Sequence, residues 1–192
     1  DEIFVVDTGN ERVQVFSPDG TFLRAWGGKG NGPTQFSEPV GITIGPDGRV
    51  YVADSGNGRI SVFQRDGTPV AQWPVDAWAG QAYFEPYLAI DNNGLLYATS
   101  SATSSVEVYD LDGNFVTSLT GANLEQFQRP IGITQGANGQ MMVTDAGLNA
   151  VLQFAPIAPP VVQEAPADSS PVVVESSPVP AEVVEESPTA AG

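Results

Sequence analysis

Asp7, Asp54 and Asp145 are the residues of this 192-residue chain whose type and recurrence could support acid–base or metal chemistry. They open the sequences Asp-Thr-Gly-Asn, Asp-Ser-Gly-Asn and Asp-Ala-Gly-Leu, each after a short apolar run. At a strand end such a carboxylate accepts backbone N–H bonds and shapes a turn. Catalysis needs one acid, whereas an acid that returns in successive copies serves every copy, so these three are read as structural turns. Asp91-Asn92-Asn93-Gly94 gathers oxygen ligands but lacks the alternation and the downstream Glu of a calcium loop. The Gly-rich run 27–33 holds the sole lysine, Lys29, yet Pro33 and Thr34 follow where a phosphate cradle needs Lys-Ser/Thr and a helix. The chain has no Cys and no His, which removes thiol catalysis, His-activated nucleophiles and ordinary zinc sites. No catalytic, metal or cofactor site is expected. The formal net charge of -16 repels phosphate backbones and argues against nucleic acid.

The elements that would position such residues recur. Residues 50–73, VYVADSGNGRISVFQRDGTPVAQW, echo 3–26, IFVVDTGNERVQVFSPDGTFLRAW. Phe16, Phe63, Tyr109 and Phe154 keep this step of about 46 residues, as do Gly20, Gly67 and Gly113. Four copies span about 1–28, 36–73, 84–120 and 127–154. The second copy reads as four strands: Val40–Ile44, Arg49–Asp54, Arg59–Phe63 and Pro69–Trp73. Gly20, Gly48, Gly67 and Gly113 sit in Asp-Gly turns that need positive φ. The second strand of each copy is apolar at successive positions, as in Val50-Tyr51-Val52-Ala53, so both of its faces must be covered. Blades stacked face to face around an axis do this, which is a β-propeller. The third strand alternates, as in Val13 and Val15, and is placed nearer the rim. The class is therefore all-β, with four-stranded antiparallel blades.

Residues 35–73, QFSEPVGITIGPDGRVYVADSGNGRISVFQRDGTPVAQW, resemble the NHL-repeat family of β-propellers, with the first copy shorter and the last two weaker matches. The resemblance covers about four-fifths of the chain, Ile3 to Phe154. It implies a propeller, usually of six blades and mostly a binding scaffold. The copies supply three, four, four and three strands, about 3.5 blades. One reading is a fragment whose missing strand and blades lie upstream of Asp1; the rival is a closed four-bladed ring. In the fragment, the edges at Ile3 and Phe154 are open and invite association.

Residues 155–192 differ in kind. They hold eight of the 16 prolines, six carboxylates and no aromatic or basic residue. This is expected to be a disordered, Pro-rich acidic linker or tail, with its Val runs leaving open the addition of a strand to an edge. No apolar run is long enough to span a membrane. Chain parity puts the Asp-Ser-Gly-Asn turns and the inter-blade connection 74–83 on one face. Arg12, Arg59, Asp76, Trp78 and Tyr87, with Trp78 exposed, are the expected ligand-binding rim there; the alternative is that Trp78 and Tyr87 fill gaps between blades. The functional expectation is a non-catalytic binding or scaffolding propeller for a protein, peptide or carbohydrate, on a secreted, periplasmic or cell-surface protein. The resemblance also implies a second reading, a metal-dependent lactonase or lyase whose ligands lie mostly in other blades. It implies RNA binding as a third, which the body's 17 acids against seven bases oppose.

Overall fold

The computed structural model describes residues 1–79 and 85–158. The tail reading therefore lies, from residue 159 on, outside the described residues, as does Phe84, expected to open the third copy. The first sheet is β1 (Ile3–Asp7), β2 (Arg12–Phe16) and β3 (Phe22–Gly27). The second is β4 (Pro39–Ile44), β5 (Val50–Asp54), β6 (Arg59–Phe63) and β7 (Pro69–Pro74). The third is β8 (Leu88–Ile90), β9 (Leu95–Ser100), β10 (Ser105–Asp110) and β11 (Phe115–Leu119). A short ribbon, β12 (Gly121–Ala122) with β13 (Glu125–Gln126), precedes the last sheet, β14 (Pro130–Gln135), β15 (Met141–Asp145) and β16 (Ala150–Phe154). Every pair is antiparallel between sequence neighbours, so each sheet is a meander. These are propeller blades of three, four, four and three strands. No strand pair joins the first blade to the last among the described residues, and no described helix is long and apolar enough to cross a membrane.

The core lies between blades. The side-chain alternation of β5 sends Val50 and Val52 toward the first blade and Tyr51 and Ala53 toward the third. Likewise Leu96 and Ala98 of β9 face the second blade, and Leu95 and Tyr97 face the fourth. Each of the larger side chains stabilises the stack by roughly 1.5–3 kcal/mol, so the continuous apolar runs are explained by burial on both faces. The third strand stands on the rim side of the second, as expected, and in the second blade burial is complete there too: every residue of β6 is buried. Alternation survives in β2 and β16, whose blades are covered on one face only.

Two tryptophans join neighbouring blades through glycine. A Cβ on Gly67 would lie 2.8 Å from the Trp26 ring, and one on Gly113 would lie 2.7 Å from the Trp73 ring. Both glycines also sit at positive φ, 92° and 91°, so each is required for its turn and for close approach. Beyond Phe154 the chain does not leave at once. Ile157 packs against the core between the last two blades. Its N–H donates to Tyr97 Oη at 3.0 Å, and its carbonyl accepts Asn93 Nδ2 at 3.1 Å. The packed body thus extends past the expected boundary at 154.

Candidate functional site

Of the three recurrent aspartates, Asp54 and Asp145 accept backbone N–H groups, and Asp7 accepts side chains alone. In the second blade Asp54 has no exposed surface. Its carboxylate accepts the Ser37 N–H at 2.8 Å, Asn57 Nδ2 at 2.8 Å and Arg59 Nε at 2.7 Å. Asp7 repeats this at the surface with Asn10 and Arg12. The Arg12 and Asn10 hydrogen bonds hold its carboxyl below the usual carboxylate range. Asp145 has no arginine: burial pushes its carboxyl up, but the N–H groups of Gln128, Arg129, Leu148 and Gly147 outweigh this and hold it low. The third blade replaces the Asp–Arg pair with Ser100 opposite Ser105. Asp91 accepts the N–H groups of Asn93 and Leu95 and the Tyr97 hydroxyl, and so closes a turn. No group of three or more His, Cys, Asp or Glu with metal-holding geometry occurs among the described residues.

The expected rim is partly dismantled. Arg59 is buried, and its remaining N–H groups donate to the carbonyls of Asn31, Gly32 and Gln35. The Gly-rich run thus presents oxygens to a cation, the reverse of a phosphate cradle. Trp78 is 1% exposed, not a surface residue; it fills the space between the second and third blades and donates its indole N–H to Thr99 O at 3.0 Å. Arg12 is tied to Asp7. Asp76 stays at the surface, and Tyr87 is 41% exposed, its backbone N–H donating to Thr99 Oγ1 at 2.9 Å. Asp76 and Trp78 line one cleft of about 360 Å³ beside Ser55–Gly58, which Arg12, Arg59 and Tyr87 do not line.

A second cleft on this face, about 370 Å³, lies beside β4 and is lined by Thr8, Glu11, Glu38, Val40, Ser55 and Glu85. Three carboxylates surround it, and none forms an ion pair among the described residues. Glu11 Oε2 accepts the Glu38 N–H at 2.7 Å, which fixes one wall. Sequence reasoning passed over these residues. The signal available was a Glu before Pro in two successive copies, Glu38-Pro39 and Glu85-Pro86, where the fourth has Arg129-Pro130.

The NHL repeat matches residues 36–63. No curated protein matches the chain by sequence. Among solved structures, the chain is similar to one titled as a nidogen/laminin complex, at 23% identity and TM-score 0.60, over 80% of this chain and 55% of that one. It is similar to a virginiamycin B lyase from Staphylococcus aureus at 16% identity and TM-score 0.56, over 82% and 53%. A putative gluconolactonase matches at 15% identity and TM-score 0.57, over 82% and 56%. The chain spans about half the length of these structures. They share its fold, and with a lyase and a putative lactonase among them, the expectation that this chain is not an enzyme does not stand. Residues 36–63 are an NHL repeat, set within an array of β-propeller blades.

Proposed function

We propose that this chain is part of a ligand-binding propeller whose loop face engages a basic segment of a protein or peptide. The observation that carries the reading is the cleft of Glu11, Glu38 and Glu85 beside β4, with three carboxylates that form no ion pair among the described residues. Unpaired acids at a concave site attract cationic partners and steer their approach. The likeness to a structure of one protein in complex with another supports a protein partner over a carbohydrate. The likeness to a lyase supports a second reading, an enzyme whose reacting groups lie outside the described residues.

The test is a peptide array probed with the full chain at low and at physiological salt. Binding to Lys/Arg-rich peptides that weakens with salt, and that is lost when Glu11, Glu38 and Glu85 are all changed to Gln, is expected. Equal binding to acidic and basic peptides overturns the reading.

A further inference from the structure

A different cleft, of about 310 Å³, lies along the seam between the second and third blades. Three aromatic side chains line it. Trp73 and Tyr109 have centroids 6.2 Å apart, and Tyr109 and Phe115 meet edge to face at 5.7 Å. Glu107 and Asp76 also line it. Glu107 is only 7% exposed, and its Oε1 accepts the hydroxyls of Ser105 at 2.6 Å and Ser118 at 2.8 Å. Neither carboxylate has an ion-pair partner among the described residues. Residues 85–119 hold five acids and no Lys or Arg at all. Burial, then the charges of Glu107 and Asp76, push the Tyr109 hydroxyl up to about 12, so both charges reach one point in the cleft. A carboxylate this buried is costly without a cation.

The scaffold does not need the two acids. The place of Glu107 is taken by Gln14 in the first blade and Ser61 in the second, and that of Phe115 by Phe22 in the first and Pro69 in the second. Lys29 stands in the first copy where Asp76 stands in the second. The seam between the first and second blades carries the same chemistry already satisfied from within. There Arg24 and Arg65 bind Glu2 at 2.6 and 3.2 Å and lie 5.9 and 5.0 Å over the Phe4 ring. The second seam has the acids and the rings but no internal cation. Trp73 is 9% exposed, and its indole N–H is buried without an acceptor among the described residues, as is that of Trp26 at the same repeat position.

We infer that the seam cleft binds a lysine or arginine side chain of a partner peptide. The charge meets Glu107 and Asp76, and the alkyl stem lies against Trp73, Tyr109 and Phe115. The inference goes beyond the loop-face reading and uses none of its residues.

The experiment follows the Trp73 indole N–H by NMR in the full chain, assigned with Trp73→Phe. The probes are N-acetyl-lysine methylamide, N-acetyl-arginine methylamide, the neutral N-acetyl-norleucine methylamide, and n-butylammonium. The two cationic amino-acid derivatives are expected to shift the signal and the norleucine derivative to leave it. Glu107→Ser, which installs the residue the second blade carries, should weaken binding about tenfold. Asp76→Asn, at the surface, should weaken it a few-fold without touching the fold. The Glu11, Glu38 and Glu85 triple variant should bind the probes unchanged, which separates this site from the loop-face cleft. Equal binding of the norleucine derivative, or unaltered binding in both seam variants, overturns the inference. Equal affinity for n-butylammonium overturns the peptide source.

Discussion

Asp54→Ala tests whether the recurrent aspartates hold the blades together. The change removes the acceptor of the Ser37 N–H and one side of a buried ion pair, with Asp54 fully buried and the Arg59 side chain 11% exposed. Breaking a buried pair from one side costs about 3–5 kcal/mol, because the surviving charge stays desolvated. At an m-value of about 2 kcal/mol per M, the urea midpoint falls by about 2 M. Asp7→Ala removes the same motif where the partners' side chains are 21% and 42% exposed. Exposed pairs contribute little, so that midpoint should move far less. Adding Arg59→Met to Asp54→Ala removes the stranded charge, and the double variant should be less destabilised than the sum of the two single changes. Urea unfolding followed by tryptophan fluorescence reads the parent and all four variants. Equal shifts for Asp54→Ala and Asp7→Ala would refute the reasoning, since burial is what separates them.

Two further outcomes are expected. Gly113→Ala should destabilise by about 1–3 kcal/mol more than Gly48→Ala, which shares only the positive-φ cost; Gly113 meets the Trp73 ring at 2.7 Å, while nothing lies within 4 Å of a Cβ on Gly48. Thermal unfolding of the two variants measures the difference. Asp145 titrates below its ordinary value, so its contribution to stability is full above about pH 4 and is lost as pH falls through the lower folded value. The gap in urea midpoint between the parent and Asp145→Asn should therefore narrow between pH 7 and pH 3, and a constant gap contradicts the assignment.

Much of the fold was legible because its causes are local and repeated. Asp-Gly turns fix where strands end, and Gly20, Gly48, Gly67 and Gly113 all take the positive φ their turns require. Burial on both faces writes itself into β5 as an unbroken apolar run. The ribbon β12–β13 was not legible, because Asn123 and Leu124 both adopt positive φ, and Leu is not a residue that signals such a turn. Trp78 was misplaced because a three-residue turn carries no periodicity to show which way its side chain points. Arg59 looked like a rim cation because, beside Asp54, its partners are the carbonyls of Asn31, Gly32 and Gln35, more than twenty residues away. The acidic cleft and the seam cleft are each assembled from successive copies. One copy read alone shows a solvated Glu11 or an alternating Glu107, and only the packing of blades brings either to its neighbours.

The segment after β16 sets where this body can be cut. Ile157 reaches back across a whole blade to the hydroxyl of Tyr97 and the side chain of Asn93. The third copy has Leu119 at the place where the first two carry Trp26 and Trp73, so the tryptophan-on-glycine lock is absent from that last seam. The strap stands in for it. A protein trimmed at residue 154, where the repeat pattern stops, would lose the fastening of its final blade, whereas one trimmed after residue 158 keeps it. Proteolysis, expression boundaries and any fusion at this end should respect the strap and not the repeat.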